Sequence, residues 1–232
     1  MGLGPPQQTD YGWRAMTLAE APERARLPMP PFLRRRGFLA PDERAALLAW
    51  SHANEARFAP AQLRGRAVDP SVRRSLVLRD LGPLRAVFEA RLATLLPTLI
   101  EALGLPAFAP SGVELELTAY NEGAHFRLHT DTYTQPPSAA RGHRMVSTVY
   151  YFHEEPQGYS GGQLRLHPFG ATAASAPGSD LAFEEIEPEQ NCLVAFPSWA
   201  PHEVRPVACP SGAFARSRFA VNAWIHRASG EP

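Results

Sequence analysis

Cysteine is scarce in this sequence: Cys192 and Cys209 are the only two in 232 residues. Two thiols cannot staple a small secreted scaffold, and they read as free thiols of a reducing, cytoplasmic compartment. Net charge is absent too, because 23 basic residues balance 23 acidic ones. With neither sign in excess, the composition gives no reason to expect a nucleic-acid or membrane-surface partner. No apolar run approaches the ~18 residues that a membrane span needs. Met1 to Asp10 lacks a basic start followed by an apolar stretch, so it does not read as a signal peptide. Gly2 follows Met1, but Pro6 stands where a myristoylation signal requires Ser or Thr.

Proline, by contrast, is abundant at 24 residues, and the hydrophobic content of 44% is ordinary for a globular chain. Together they describe a single domain with many turns and few long helices. Residues 1–31 mix Pro, Gln and Arg without periodicity and read as an irregular arm. Pro41-Asp-Glu43 opens a helix expected to end near Ser51 or Ala53, with Pro at the first position and acids at the positive end of the dipole. A second helix is expected from Pro83 to Leu103. Leu84, Phe88, Leu92, Leu95, Leu99 and Leu103 form one stripe, Pro97 introduces a kink, and Gly104 lies just past the end. From Val113 the texture changes to short strands: 113–120, 145–152, 163–166, 191–196 and 219–225. Helices followed by strands predict an α+β domain with a double-stranded β-helix (jelly-roll) core and the N-terminal helices packed on one sheet. The expected division is a helical support over 32–110 and a catalytic barrel over 111–228, within one domain of 32–232.

Chemistry concentrates after Tyr120. His129 and Asp131 are two residues apart, so on a strand they face one point. In isolation this spacing also suits a hydrogen-bonded surface pair. His202, in Ser198-Trp-Ala-Pro-His-Glu-Val, offers a third ligand. Two imidazoles and one carboxylate on one face of a metal leave three positions open, the facial triad of iron(II) oxygenases.

Arg218-Phe-Ala-Val-Asn-Ala-Trp-Ile-His226 alternates, with Phe219, Val221, Ala223 and Ile225 on the core face. Arg218, Ala220, Asn222 and Trp224 then share the other face. An arginine aimed into a barrel requires a carboxylate, and no acidic partner sits opposite it in sequence. Either a ligand carboxylate meets it in a charge-assisted pair, or the side chain snorkels at the barrel mouth. Arg216 is the fallback anchor on the same expected face. Arg127 is two residues before His129, and strand parity puts it on the metal side, where it would hold a substrate carboxylate or form a rim salt bridge. The other histidines, His52, His125, His143, His153, His167 and His226, read as surface or supporting residues.

Five segments in order resemble the Fe(II)/2-oxoglutarate-dependent dioxygenases of the prolyl-4-hydroxylase type. They are Tyr120 to Asp131, Val149-Tyr-Tyr-Phe152, Gly161-Gly-Gln-Leu164, Pro201-His-Glu-Val204 and Arg218 to Trp224. The resemblance implies that His129, Asp131 and His202 bind Fe(II), and that Arg218 receives the distal carboxylate of 2-oxoglutarate. It places Tyr151 on the same carboxylate and Tyr120 beside the co-substrate, though both also suit half-buried strand aromatics. It sets Asn222 and Trp224 near the substrate, and makes the Thr132 to His143 loop a lid. It further implies O₂ as second co-substrate, ascorbate as reductant, and hydroxylation of a prolyl residue in a peptide or protein. A free amino acid or natural-product intermediate is the alternative substrate; an isomerase or a non-catalytic metal-binding sensor is the alternative class. Asp131 argues against a halogenase, which replaces this ligand with a small residue.

Overall fold

The computed structural model describes residues 28–63, 67–132, 142–172 and 182–228. The expected arm up to residue 27 and the expected lid from 133 to 141 lie outside the described residues. The first part of the chain forms β1 (Leu33–Arg36), α1 (Pro41–Ala53), β2 (Ala59–Pro60), β3 (Arg73–Arg74), β4 (Leu76–Leu78) and α2 (Leu84–Ala102). There follow β5 (Pro110–Tyr120), β6 (His125–His129), β7 (His143–Phe152), β8 (Ser160–Gly161), β9 (Leu164–Leu166) and β10 (Glu184–Ile186). The last strands are β11 (Cys192–Pro197), β12 (His202–Val204), β13 (Val207–Ala208) and β14 (Arg218–Arg227).

Both helices carry their expected boundary signals. Pro41 opens α1, and the Glu43 carboxylate accepts the Ala40 N–H at 2.8 Å. Gly104, at φ 61°, ends α2, and the Leu105 N–H reaches back to the Ile100 carbonyl at 2.9 Å. That 6→1 bond closes a helix over a left-handed residue. The buried stripe of α2 runs through Leu84, Phe88, Leu92, Leu96 and Leu99. Leu96 takes the place expected of Leu95, which is only partly buried at the margin of the core. Among the described residues, no helix is long and apolar enough to cross a membrane.

A seven-stranded antiparallel sheet in the order β1-β11-β7-β14-β5-β4-β2 meets a five-stranded one, β10-β9-β12-β6-β3, as a double-stranded β-helix. The larger sheet is covered on both faces, which explains why every residue of β11 is buried. Its outer face joins the helices: Leu115, Leu117, Tyr150, Phe152, Leu193, Phe219, Val221 and Ile225 cluster with Leu47, Phe88, Leu92 and Leu99. Its inner face gives Tyr151, Val194, Phe196 and Ala220 to a second cluster with Leu164, Leu166 and Ile186 of the smaller sheet. Alternation along each strand therefore sorts structural side chains from those that face the barrel interior. The first hundred residues supply strands as well as helices: β1 and β2 edge the larger sheet, and β3 edges the smaller.

Phe88 joins helix to sheet, with ring centroids 5.7 Å from Phe38 and 5.5 Å from Tyr150. Phe88→Ala should destabilise the domain by about 3–5 kcal/mol through lost burial and the cavity left behind. Substituting the exposed Thr98 on the same helix should have little effect. Urea denaturation of both variants measures the difference.

Candidate active site

The ends of two strands assemble a cluster of three side chains. His129 closes β6, Asp131 lies just beyond it, and His202 opens β12, paired in register with His129. Asp131 is held by its own backbone N–H, which donates to the Ser198 carbonyl at 2.9 Å. His129 Nε2 lies 3.7 Å from Asp131 Oδ1, and His202 Nε2 lies 3.6 Å from Oδ2. One ligand atom from each residue falls within 4.8 Å of the others.

Both imidazoles are fixed the same way. His129 Nδ1 is 2.7 Å from the Arg127 carbonyl, and His202 Nδ1 is 2.8 Å from the Ala200 carbonyl. Each Nδ1 therefore carries the proton, leaving the Nε2 lone pairs aimed inward. Phe126 stacks on His129 with centroids 3.5 Å apart, and Phe196 meets His202 edge-on at 4.7 Å. Burial and the neighbouring His202 push His129 well below the usual imidazole range. Burial alone would raise Asp131, but the two histidines, the Ser147 hydroxyl and the Trp224 indole outweigh it and hold the carboxyl low. Neutral imidazole and ionised carboxylate are the forms that bind a metal. The Ser147 hydroxyl donates to Asp131 Oδ2 at 2.7 Å, and Ser198 Oγ lies 3.0 Å behind it.

These residues line a cavity of about 580 Å³, and Arg218, Tyr151, Tyr120, Asn222 and Trp224 line it too. Arg218 is 1% exposed. Its Cζ lies 4.7 Å from the Tyr120 ring and 4.8 Å from the Tyr151 ring. Its Nε and Nη1, and the Tyr151 hydroxyl, are buried without a hydrogen-bond partner among the described residues. Burial pushes the Tyr151 phenol up to about 12, so it stays a donor. Gly162, at φ 73°, makes room for this arginine: a Cβ there would fall 2.6 Å from Arg218 Cδ. The donor set fits a divalent first-row metal, and the orphaned guanidinium fits the far carboxylate of an acid chelating it.

Two sequence expectations meet a different geometry. Arg127 is exposed and does not line the cavity. The register slips between His202 and Val204, which pair with His129 and Phe126 respectively. Two residue steps of β12 thus span three of β6, and this bulge turns Phe126, not Arg127, onto the imidazole. Arg216 lies in a 3₁₀ turn before β14, 3.4 Å from Glu154, and does not reach the cavity. Sequence reasoning gives no role at the site to Ser147, Gly162, Phe126 or the charged wall of Arg73, Arg79, Arg144, Glu114 and Glu116. The run Val113-Glu-Leu-Glu-Leu117 held a signal for the last two. Leu115 and Leu117 pack in the core, so Glu114 and Glu116 face inward, opposite Trp224 and Asn222 of β14.

Asp131→Ala should weaken Fe(II) binding by more than ~100-fold, and Ser147→Ala by about 10–100-fold, the usual cost of losing a ligand's hydrogen-bond partner. Anaerobic titration of the apoprotein checks both, and unchanged affinity in Asp131→Ala would sink the assignment.

Residues 115–226 match the 2OG-Fe(II) oxygenase superfamily. An uncharacterized PKHD-type hydroxylase of Synechocystis sp. is 32% identical over 197 residues, covering 83% of this chain. This chain spans only 62% of that curated relative. A Pseudomonas putida prolyl-4-hydroxylase superposes with a TM-score of 0.61 at 28% identity, covering 85% of this chain and 94% of that one. A Trichoplax adhaerens prolyl hydroxylase, in complex with a hypoxia inducible factor peptide fragment, superposes with a TM-score of 0.62 at 20% identity. That pairing covers 85% of this chain and 84% of the other, and it shows the shared fold. The matched segment carries the His129-Asp131-His202 cluster and the buried Arg218, so the part of this chain that is similar to the 2OG-Fe(II) oxygenase superfamily is the part that builds the site.

Proposed function

We propose that this chain is an Fe(II)- and 2-oxoglutarate-dependent dioxygenase that hydroxylates a prolyl residue of a peptide or protein, with succinate and CO₂ as co-products. The observation that carries the reading is a 1% exposed arginine in the same cavity as the His-Asp-His cluster, with no carboxylate in ion-pair contact among the described residues. A charge so buried is tolerated only with a counter-charge, and a dicarboxylate chelating the metal supplies one.

When bound, Fe(II) and 2-oxoglutarate supply with O₂ the oxidising chemistry that turns a C–H into a C–OH. His129, Asp131 and His202 would hold the metal on one face and leave the other open. Arg218 would receive the distal carboxylate, the Tyr151 hydroxyl would donate to it, and Tyr120 would wall the pocket. Val149, Leu164 and Val204 line the same cavity and exclude water from the reacting centre. Asn222 and Trp224, on the same face of β14 as Arg218, line the cavity and would orient the substrate. The P. putida relative supports a prolyl substrate, and the T. adhaerens structure supports a peptide one. Two buried free cysteines support the reducing cytoplasm, and ascorbate as reductant belongs to the same reading.

Arg218→Ala should raise the KM for 2-oxoglutarate by ~30-fold or more, because truncating one partner of a buried charge pair costs about 2–5 kcal/mol. Arg218→Lys should retain part of the affinity, and Asp131→Ala should form no succinate. Succinate released from Fe(II), 2-oxoglutarate and O₂ is the readout. A wild type that neither binds 2-oxoglutarate nor forms succinate with any substrate overturns the proposal.

A further inference from the structure

We propose that Arg73, steadied by Glu116, selects a substrate that carries a carboxylate close to the reacting carbon. This rests on the preceding reading, in which metal, co-substrate and substrate share one cavity. The charge balance of that cavity is the first argument. Among the described residues it is lined by Arg73, Arg79, Arg144 and Arg218 against Glu114, Glu116 and Asp131. A divalent metal and the 2-oxoglutarate dianion cancel, as do Arg218 and Asp131. Three guanidiniums then face two carboxylates, an excess of one positive charge on the substrate side.

Within that remainder, Arg73 and Arg79 share a single carboxylate. Glu116 meets Arg79 at 3.0 Å and Arg73 only at 3.5 Å. Arg79 is mostly in water, its side chain 65% exposed, whereas the Arg73 side chain is 10% exposed. Arg73 Nε bonds the Ser75 hydroxyl at 3.2 Å, and among the described residues the buried Glu116 Oε2 makes no hydrogen bond. A guanidinium this far from water, with half a counter-charge at long range, is under-compensated until another anion arrives.

Its position is the second argument. Arg73 pairs in register with Phe126, and its Cζ stands 4.9 Å from the Phe126 ring, which itself stacks on His129. Cation, ring and ligand imidazole form one column, so a carboxylate bound by Arg73 lies beside the metal centre. At roughly 3.3–3.6 Å of extended chain per residue, the reacting carbon falls one or two residues from that carboxylate. An acidic side chain and a free C-terminus both present this chemistry.

Acetylated, proline-centred pentapeptides test it, with Glu or Gln at each flanking position on amidated chains, and with free or amidated C-termini on Gln chains. Dissociation constants are read anaerobically from tryptophan fluorescence on enzyme loaded with Fe(II) and 2-oxoglutarate. A carboxylate-bearing peptide should bind at least about tenfold tighter than its neutral match. Preference for Glu at one position identifies a side chain, preference for the free terminus identifies the C-terminus, and either supports the proposal. In Arg73→Gln the ratio should fall to about one, and Arg73→Lys should keep part of it. A ratio of two peptides on the same protein is insensitive to loss of folded material. Equal affinities in the wild type, an unchanged ratio in Arg73→Gln, or no binding of acidic peptides at millimolar concentration overturns the inference. If 2-oxoglutarate binding and peptide-free succinate formation are normal, that failure belongs to Arg73 alone; if both are absent, the dioxygenase reading fails first.

Discussion

A guanidinium taken out of water costs several kcal/mol unless a counter-charge comes with it, and the fold takes Arg218 out of water at the centre of the domain. That is possible because the larger sheet is buried on both faces, so β14 delivers apolar residues to the helices and polar ones to the barrel interior. The neighbours of Arg218 are shaped around its charge. Tyr120, its register partner, and Tyr151 offer aromatic faces, and Gly162 leaves room for the stem. All 23 basic residues of the chain are arginine, with no lysine among them. A planar fork suits bidentate recognition of a carboxylate in a way that a hydrated ammonium does not.

The His129-Asp131-His202 cluster sets the complementary problem of holding three metal-binding donors close together. Backbone carbonyls two residues before each histidine take the Nδ1 protons, so the tautomers are set by the strands themselves. Stacked Phe126 and edge-on Phe196 fix the ring planes, and Ser147 fixes the carboxylate. Such preorganisation moves much of the ordering cost of metal binding into folding.

The sequence made the catalytic half of the chain legible because its signals there are local. Alternation along residues 218–226 located Arg218, Asn222 and Trp224 on one face, and the His129/Asp131 spacing with His202 located the metal cluster. Leu95 and Leu96 both fit a three- or four-residue step, and only the neighbouring sheet decides between them. Arg127 was misplaced for a sharper reason. Strand parity holds only while the register holds, and the slip opposite His202 advances β6 by one residue. No pattern in His125-Phe-Arg-Leu-His129 announces that bulge. Arg216 was carried onto the strand face by the same extrapolation, past a 3₁₀ turn that breaks it. The strands before α2 were missed because they are two to four residues long, too short for any periodicity to show.

That short-stranded region sets where chemistry ends and recognition begins. Arg73–Arg74 pairs with β6 of the smaller sheet, while Leu76–Leu78 pairs with β5 of the larger. A single residue, the buried Ser75, separates them, so the chain crosses between the sheets there, with Val72, Arg73 and Arg79 lining the cavity. His129, Asp131, His202 and Arg218 all come after this crossing in the chain. A change of side chain in the crossing therefore alters the wall that meets a substrate without moving a donor atom. Residues 72–79 are where two chains with the same His-Asp-His cluster could choose different substrates, because selectivity needs only a difference of a few kcal/mol between competing ligands. Arg73 lies in that crossing, its Cζ 4.9 Å from the Phe126 ring that stacks on His129, so the wall adjoins the His-Asp-His cluster.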